Sequence, residues 1–360
     1  MNKKVYFVGS GYQGCWYARC LVPMLENGWQ GTYTGLSKSS LKDPKLVMKE
    51  MMESDVIVFH RANTAQHHHL GRILKQAGKK IVFDNDDTFK LDKTHPFYGL
   101  DEKGFEENKV RMNNVIDNFI INSDLVTTST EFLAKEYRKL HKNVVVLPNY
   151  VNPDDWEEPL KNTGDKVRIG IVGSVAYNHD FEHIKKVIKD LDDDDKVQIV
   201  LFGLWTGKKR KDNPLIGKVL KKEYKFWDSL KNKEQIQWCE MVDYFEVLNQ
   251  SRLDMMIIPR RYNNFNQCKS NVKYLEASML EIPVIAQGFP DKTSPYDADL
   301  DGENGILVTD NSKWTEEIMS LVNSKSKREF MGSNARQYVL DNYHIKDHAH
   351  KWAEAYNKLF

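Results

Sequence analysis

Residues 254–288, DMMIIPRRYNNFNQCKSNVKYLEASMLEIPVIAQG, decide the fold of this chain. An apolar run at 255–258 stops at a proline, and a polar, cation-rich loop follows. A helical pattern then extends from about residue 270 to 280 and leads into a second apolar run at 283–286. Strand, loop, helix and strand in this order predict the βαβ unit of a parallel sheet.

The predicted helix carries charged side chains at a spacing of four and three residues, Lys269, Lys273 and Glu276. At this spacing they share one face near the N-terminal half of the helix. The free N–H groups and the dipole of a helix N-terminus favour negative charge, and two lysines add to that preference. The face is therefore either a site for an anionic ligand or an ordinary solvated surface.

The composition is that of a globular protein, and at 360 residues the chain is too long for one ordinary core. Its 52 basic and 51 acidic side chains nearly cancel, so no overall field favours nucleic acid or a membrane surface. The four cysteines have no zinc-like spacing, which indicates free thiols in a reducing compartment. No apolar run reaches the roughly 18 residues of a membrane span, and the N-terminus resembles a first strand rather than a signal peptide. We expect a cytoplasmic protein without a transmembrane segment.

Apolar strands alternate with helical patterns in both halves of the chain, which predicts an α/β protein with two doubly wound sheets. We place the first domain at residues 1–155 and the second at 156–340. A stretch rich in Pro, Asp, Glu and Asn at 153–165 is the expected linker. The cleft between two such domains is the default ligand site.

A glycine loop, GSGYQG at 9–14, follows the first predicted strand and matches the dinucleotide fingerprint GxGxxG. That fingerprint also requires an acidic residue after the second strand, and the second-strand candidate at 31–36 ends without one. Close approach of a ligand or of the partner domain to the backbone, at Gly11 for example, is the better interpretation. An NAD-dependent oxidoreductase is therefore a disfavoured alternative.

Two predicted strands of the first half end in polar residues, at the edge of the sheet where open α/β folds bind ligands. The strand at 55–59 ends at His60 and Arg61, and the strand at 80–83 runs into Asp84, Asn85, Asp86 and Asp87. The acidic cluster could be a helix cap and turn, a polar anchor for a ligand, or a site for a hard cation. Since no further metal ligands can be identified, the metal site is the weakest of the three.

Several segments resemble glycosyltransferases of the GT-B fold, in the large retaining group numbered family 4. SDLVTTSTEFLAKEYRKLHKNVVVLPNYVNPDDW at 123–156 is similar to the strand, helix and crossover that lead into the second domain of that family. Residues 254–288 resemble its donor-binding region, and ENGILV at 303–308 resembles the loop and strand that follow. KSNVKYLEA at 269–277 looks most like a subgroup of polysaccharide and phage glycosyltransferases.

The resemblance implies a GT-B fold, with a C-terminal helix at 341–360 that packs back on the first domain. It implies transfer of a hexosyl or pentosyl group from a nucleotide-sugar donor, such as a UDP- or GDP-sugar, with retention and without an obligatory cofactor or metal. Cys268 stands where the family has the first glutamate of a pair, and Glu276 matches the second, which is placed on the donor ribose. The family's diphosphate-binding arginine and lysine after the first strand of the second domain are absent, so that Arg260, Arg261, Lys269 or Lys273 must take over.

The resemblance assigns the site residues to three groups. The implied catalytic residues are Asp86 and Glu276. The implied donor-binding residues are Gly11, Gly173, Ser174, Arg260, Lys269, Ser270, Lys273 and Glu276. The implied acceptor-side residues are His60, Arg61, Asp84 and Asp87.

The sequence does not determine which molecule accepts the sugar. A glycan or a lipid-linked sugar is one possibility, although the chain has no evident basic amphipathic membrane helix. A modified DNA base is another, because Trp205 could stack on a base and the basic run at 208–211 could track phosphates. A solvated loop is the favoured explanation of that run, given the near-zero net charge. A non-catalytic nucleotide-sugar-binding module is the alternative from a different functional class.

Overall fold

The computed structural model describes residues 3–9, 14–32, 43–90, 113–203 and 221–360. Twelve strands lie in these ranges and form two sheets of six. The first sheet contains β1 (Val5–Val8), β2 (Gln30–Thr32), β3 (Val56–His60), β4 (Lys80–Asn85), β5 (Leu125–Thr128) and β6 (Val144–Val146). The second contains β7 (Val167–Val172), β8 (Val197–Phe202), β9 (Lys233–Ile236), β10 (Met255–Ile258), β11 (Val284–Gln287) and β12 (Ile306–Val308).

Both sheets are parallel throughout, with the strand orders β2-β1-β3-β4-β5-β6 and β12-β11-β10-β7-β8-β9. Each order reverses once, between β1 and β3 in the first sheet and between β7 and β10 in the second. Two doubly wound parallel sheets confirm the fold class that the sequence predicts, and the opening stretch is indeed the unit from β10 to β11.

Helices cover the faces of both sheets. In the first domain they span 14–26, Pro44–Glu53, Ala65–Gln76, 113–122 and Glu131–Arg138, with a π-helical turn at Tyr17–Leu21. In the second domain they span Lys185–Asp192, Lys221–Ser229, Met241–Gln250, Asn264–Gln267, Val272–Met279, Trp314–Val322 and Lys325–Tyr343. Helices at Ile345–His348 and His350–Asn357 close the chain, and 3₁₀ segments lie at Pro153–Asp155, Val175–Ile184 and Asn311–Lys313.

Strand residues on both faces of each sheet are buried, as a parallel sheet covered by helices requires. In β1, Tyr6 and Phe7 point to opposite faces and both are fully buried. The face that carries Phe7 is covered in part by the C-terminal helix, whose Trp352 and Tyr356 pack into the same cluster. The chain end therefore returns to the first domain, as the GT-B resemblance implies. The domain boundaries at 155 and 340 stay a prediction.

Two sequence-based expectations need correction, and three others fall outside the described ranges. The donor-region helix begins at Val272 rather than near residue 270, so Lys269 precedes it and does not share its face. The charged stretch at 88–118 predicts irregular structure, but a helix begins within it and spans 113–122. The glycine-loop residues 10–13, the continuation of the second strand and the basic run at 208–211 lie outside the described residues. Within the described ranges, every helix is too short or too polar to span a lipid bilayer.

A glycine allows the helix Lys325–Tyr343 to rest on the C-terminal end of the helix Val272–Met279. A Cβ at Gly332 would lie 2.8 Å from the carbonyl carbon of Glu281, a backbone atom that cannot move cheaply. We predict that Gly332→Ala lowers the free energy of unfolding by about 1–3 kcal/mol, the usual cost of overpacking. Urea unfolding measures this change in the free energy of unfolding. Ser333→Ala, at an exposed neighbouring position, is the control and should change little, and equal effects of the two variants would contradict the packing argument.

Candidate active site

Polar side chains gather where the strands of both sheets end. Ligands in open α/β sheets bind beyond the carboxyl ends of the strands, at the point where the strand order reverses. In the first sheet His60 ends β3 there, and in the second sheet Arg260 follows β10. The two edges face each other, as an ion pair between them shows: Lys269 of the second domain lies 2.5 Å from Asp87 of the first. The candidate site is the cleft between these edges.

On the first-domain side, Asp86 is held by two cationic or ionisable neighbours. Arg61 Nε donates to Asp86 Oδ1 at 2.7 Å, and His60 Nε2 lies 3.5 Å from the same oxygen. Burial alone would raise the pKa of Asp86, but Arg61 and His60 outweigh it and hold the pKa well below its usual value. Asp86 is therefore a carboxylate at neutral pH. His60 is 2% exposed, and its ring nitrogens have no hydrogen-bond partner within the described ranges.

Asp84 has a different environment from the rest of the acidic cluster. Arg19 Nη2 donates to Asp84 Oδ2 at 2.7 Å, Thr127 Oγ1 donates to the same oxygen at 2.7 Å, and Arg19 Nε reaches Oδ1 at 3.2 Å. The side chains of Arg19 and Asp84 are 0% and 1% exposed. Since both oxygens are occupied and the group is buried, the structure does not support the acceptor contact expected for Asp84. The bonds of Asp84 to Arg19 and Thr127 link β4 to the first helix and to β5.

The carboxylates of Asp84, Asp86 and Asp87 form ion pairs with cationic side chains of the protein, Arg19, Arg61 and Lys269 respectively. Across the described residues, no three His, Cys, Asp or Glu side chains converge as the ligands of one metal ion would.

On the second-domain side, three side chains form a hydrogen-bonded triangle. Lys273 Nζ donates to Glu276 Oε2 and to the Tyr244 hydroxyl, each at 2.7 Å, and Tyr244 donates to Glu276 Oε2 at 2.7 Å. Burial would lower the pKa of Lys273, but Glu276 outweighs it and raises the pKa above its usual value. Glu276 Oε1 has no hydrogen-bond partner in the described part of the chain. It can accept a hydrogen bond from a ligand.

The two arginines after β10 differ in what they contact. Arg260 is buried, donates to Asp180 Oδ2 at 3.1 Å and lies 3.8 Å from the centre of the Tyr177 ring. Arg261 donates its backbone N–H to Asp180 Oδ1 at 3.3 Å. The guanidinium of Arg261 forms no ion pair or hydrogen bond within the described ranges, so its N–H groups are available to a ligand.

The remaining predicted residues lie around this group. Gly173 packs against the Tyr177 ring, since a Cβ there would meet Tyr177 Cδ2 at 2.6 Å. Ser174 is exposed and caps nothing with its side chain among the described residues. Ser270 Oγ accepts from Asn149 Nδ2 at 2.9 Å, across the cleft. Gly11 lies outside the described residues.

Sequence reasoning missed the partners of these groups. Tyr244 lies on the helix before β10, Asp180 follows β7, and Arg19 lies on the first helix, all far from their partners in sequence. A single sequence carries no signal for such pairs. The one available hint was the i, i+3 spacing of Lys273 and Glu276, which the structure shows as an ion pair.

The comparisons with known proteins identify the class. The family model of glycosyl transferases group 1 matches residues 152–338, just over half of the chain. The chain therefore belongs to this family, and its two sheets have the GT-B arrangement of such enzymes. No curated protein matches the sequence. The family match leaves the NAD-dependent oxidoreductase without support.

Solved structures share the fold at low sequence identity. Sucrose-phosphate synthase from Thermosynechococcus elongatus matches with a TM-score of 0.67 and 13% identity, covering 99% of each chain. The apo form of WaaB, a lipopolysaccharide outer core galactosyltransferase, matches at 0.58 and 13%, covering 99% of this chain and 100% of its own. TarM matches at 0.58 and 15%, covering 89% of this chain, which spans 59% of TarM. At such identities the likeness shows the fold alone.

Proposed function

We propose that the protein transfers a sugar from a nucleotide-sugar donor to a glycan or lipid-linked acceptor, with retention of the anomeric configuration. The single observation that carries the proposal is the cation cluster after β10, which faces the carboxylates after β4 across the cleft. Cations on one wall suit a diphosphate, and carboxylates on the other suit hydroxyl groups. The motif KSNVKYLEA supports the polysaccharide and phage-type subgroup of family 4.

The donor side has the groups that a diphosphate needs. The helix Val272–Met279 has no side-chain cap within the described ranges, and the amide of its N-cap residue Asn271 donates to Asp299 at 2.7 Å. Its first N–H groups therefore stay available to an anion. Arg261 is an unpaired guanidinium among the described residues, and Lys269 and Lys273 are charged amines within the same cleft. These groups would stabilise the charge of the departing nucleotide diphosphate.

Glu276 would hold the donor ribose through its free Oε1, while Lys273 and Tyr244 fix the carboxylate through Oε2. Support for a nucleotide donor also comes from a related structure, a TarM mutant from S. aureus in complex with Fondaparinux, alpha-GlcNAc-glycerol and UDP. On the first-domain side, Asp86 would contact sugar hydroxyls, with His60 and Arg61 beside it. Asp86 and Glu276 are thus our proposed catalytic pair.

No observation favours a DNA acceptor, since the basic run that suggested it lies outside the described residues. The alternative of a non-catalytic binding module gains some support from the pairing of Arg260, Lys269 and Lys273 with carboxylates of the protein itself. Turnover of a nucleotide-sugar donor distinguishes a glycosyltransferase from a non-catalytic binding module.

We predict that the protein releases nucleotide from at least one member of a panel of UDP-, GDP-, ADP- and CMP-sugars. Nucleotide release is measured by chromatography, and the anomer of the product by NMR. Lys269→Ala should lower the rate at least about tenfold, because a cation facing the diphosphate is lost. Binding of a nucleotide without turnover of any donor would favour the non-catalytic module, and an inverted product would refute retention.

A further inference from the structure

The charge of Lys269 is balanced by a carboxylate of the other domain. Its Nζ lies 2.5 Å from Asp87 Oδ2, and the two side chains are only 14% and 16% exposed. The amine belongs to the second domain and the carboxylate to the first, so the ion pair bridges the two domains. Burial would lower the pKa of Lys269, but Asp87 outweighs it and raises the pKa. The Lys269 amine is therefore charged at neutral pH.

The neighbours of both partners are fixed independently of the pair. The carbonyl oxygen of Asp87 accepts from the Tyr137 hydroxyl at 3.0 Å. On the other side, Cys268 is fully buried in the core cluster of the first domain, and Ser270 accepts from Asn149 across the cleft. Two anchored neighbours thus hold Lys269 against Asp87. The backbone on both sides of the cleft fixes this ion pair, which distinguishes it from a chance meeting of two mobile side chains.

The same amine lies among the groups that face the proposed donor. Lys269 Nζ is 4.1 Å from the centre of the Phe265 ring and 5.8 Å from that of Tyr177. Arg260 stacks on the same Tyr177 ring, but it takes its carboxylate, Asp180, from its own domain. Within the described ranges, Asp87 is the only carboxylate that pairs with Lys269, and it comes from the opposite wall.

We propose that Asp87 is the internal counter-ion of Lys269 and that the diphosphate of the donor displaces it. This inference rests on the proposed function, since it identifies the displacing anion as a nucleoside diphosphate. A carboxylate and a diphosphate repel each other, so the two compete for Lys269. Displacement leaves the Asp87 carboxylate with Arg61, whose Nη2 lies 3.6 Å from the same Oδ2, at the edge of the cleft where an acceptor hydroxyl would bind.

Removal of the Asp87 charge should strengthen nucleotide binding, whereas loss of an ion-paired side chain in a cleft usually weakens it. Asp87→Asn keeps the size of the side chain and removes the competing charge, so nucleotide affinity should rise roughly tenfold. Isothermal titration calorimetry with UDP, GDP, ADP and inorganic pyrophosphate measures Kd. If Asp87 only held the domains together, its loss would loosen the cleft and weaken binding. Asp190→Asn, which removes an exposed carboxylate paired with Lys186, is the charge-matched control and should leave Kd unchanged.

A double-mutant cycle tests whether Asp87 acts through Lys269. In a Lys269→Met background, Asp87→Asn should no longer tighten binding, because no amine is left to compete for. Thermal unfolding of each variant checks folding, and Asp87→Ser should shift Kd in the same direction as Asp87→Asn. Equal tightening in both backgrounds would overturn the exchange with Lys269, since it would reflect net charge alone.

The outcomes separate this inference from the proposed function. Unchanged or weaker binding by Asp87→Asn, with normal binding by the wild-type protein, overturns the role of Asp87 and leaves the glycosyltransferase site intact. A wild-type protein that binds none of the four probes overturns both.

Discussion

Replacing Glu276 by glutamine should lower kcat/KM for the nucleotide-sugar at least about 100-fold, while the protein stays folded. The variant keeps the shape of the side chain, but it removes the charge that holds Lys273 and Tyr244 at 2.7 Å. Lys273 then stays in the cleft without its carboxylate, and the ribose loses a charged acceptor. Steady-state kinetics with the donor found in the panel measures the loss.

A chemically identical change on a neighbouring helix is the control. Glu246 is exposed and lies on the same helix as Tyr244, so Glu246→Gln should leave kcat/KM unchanged. Tyr244→Phe should fall between the two, because it removes one hydrogen bond to Glu276 and no charge. Activity of Glu276→Gln within a factor of about two of wild type would refute the donor site proposed for this helix.

The fold was predictable because its signals are local. Each strand of the opening stretch follows an apolar run: β10 begins and ends where its run does, and β11 is displaced by one residue from the run at 283–286. The ion pair of Lys273 and Glu276 follows from a spacing of three residues on one helix. Such patterns depend on the chain within a few residues, which a single sequence shows directly.

The charge pairs of the site were not predictable because they join distant parts of the chain. Lys269 and Asp87 are 182 residues apart, and Arg260 and Asp180 are 80 apart. The sequence predicts Lys269 on the helical face of Lys273, whereas the helix starts at Val272 and Lys269 turns to the other domain. The positions of two domains relative to each other depend on packing, which no local pattern encodes.

Asp84 illustrates the same limit within one domain. Its place after an apolar strand predicts a ligand contact, because such positions face the cleft. The structure places Arg19 against it, with the Arg19 guanidinium also donating to the carbonyl of Leu147 and to Asn149. The Asp84 carboxylate is thus paired inside its own domain. Asp86, two residues later, lies at the edge of the cleft.

Breaking the buried ion pair of Arg19 and Asp84 has the largest expected effect on the free energy of unfolding. Arg19→Met should lower the free energy of unfolding by about 3–5 kcal/mol, the usual cost of leaving a buried charge without its partner. The side chains are 0% and 1% exposed, so water cannot solvate the carboxylate that remains on Asp84. Urea unfolding followed by circular dichroism measures the loss. Arg138→Met, which breaks the exposed pair with Glu131, is the control and should change stability little.

The double variant Arg19→Met/Asp84→Asn distinguishes a buried charge from lost packing. If the cost arises from the unpaired carboxylate, removal of that charge should restore part of the stability lost in Arg19→Met. If the cost arises from the packing of Arg19 near Trp352, the second substitution should add to the loss instead. We expect partial recovery, because the amide oxygen introduced by Asp84→Asn could still accept from Thr127, which now donates to Asp84. A double variant less stable than Arg19→Met would show that the pair acts through shape rather than charge.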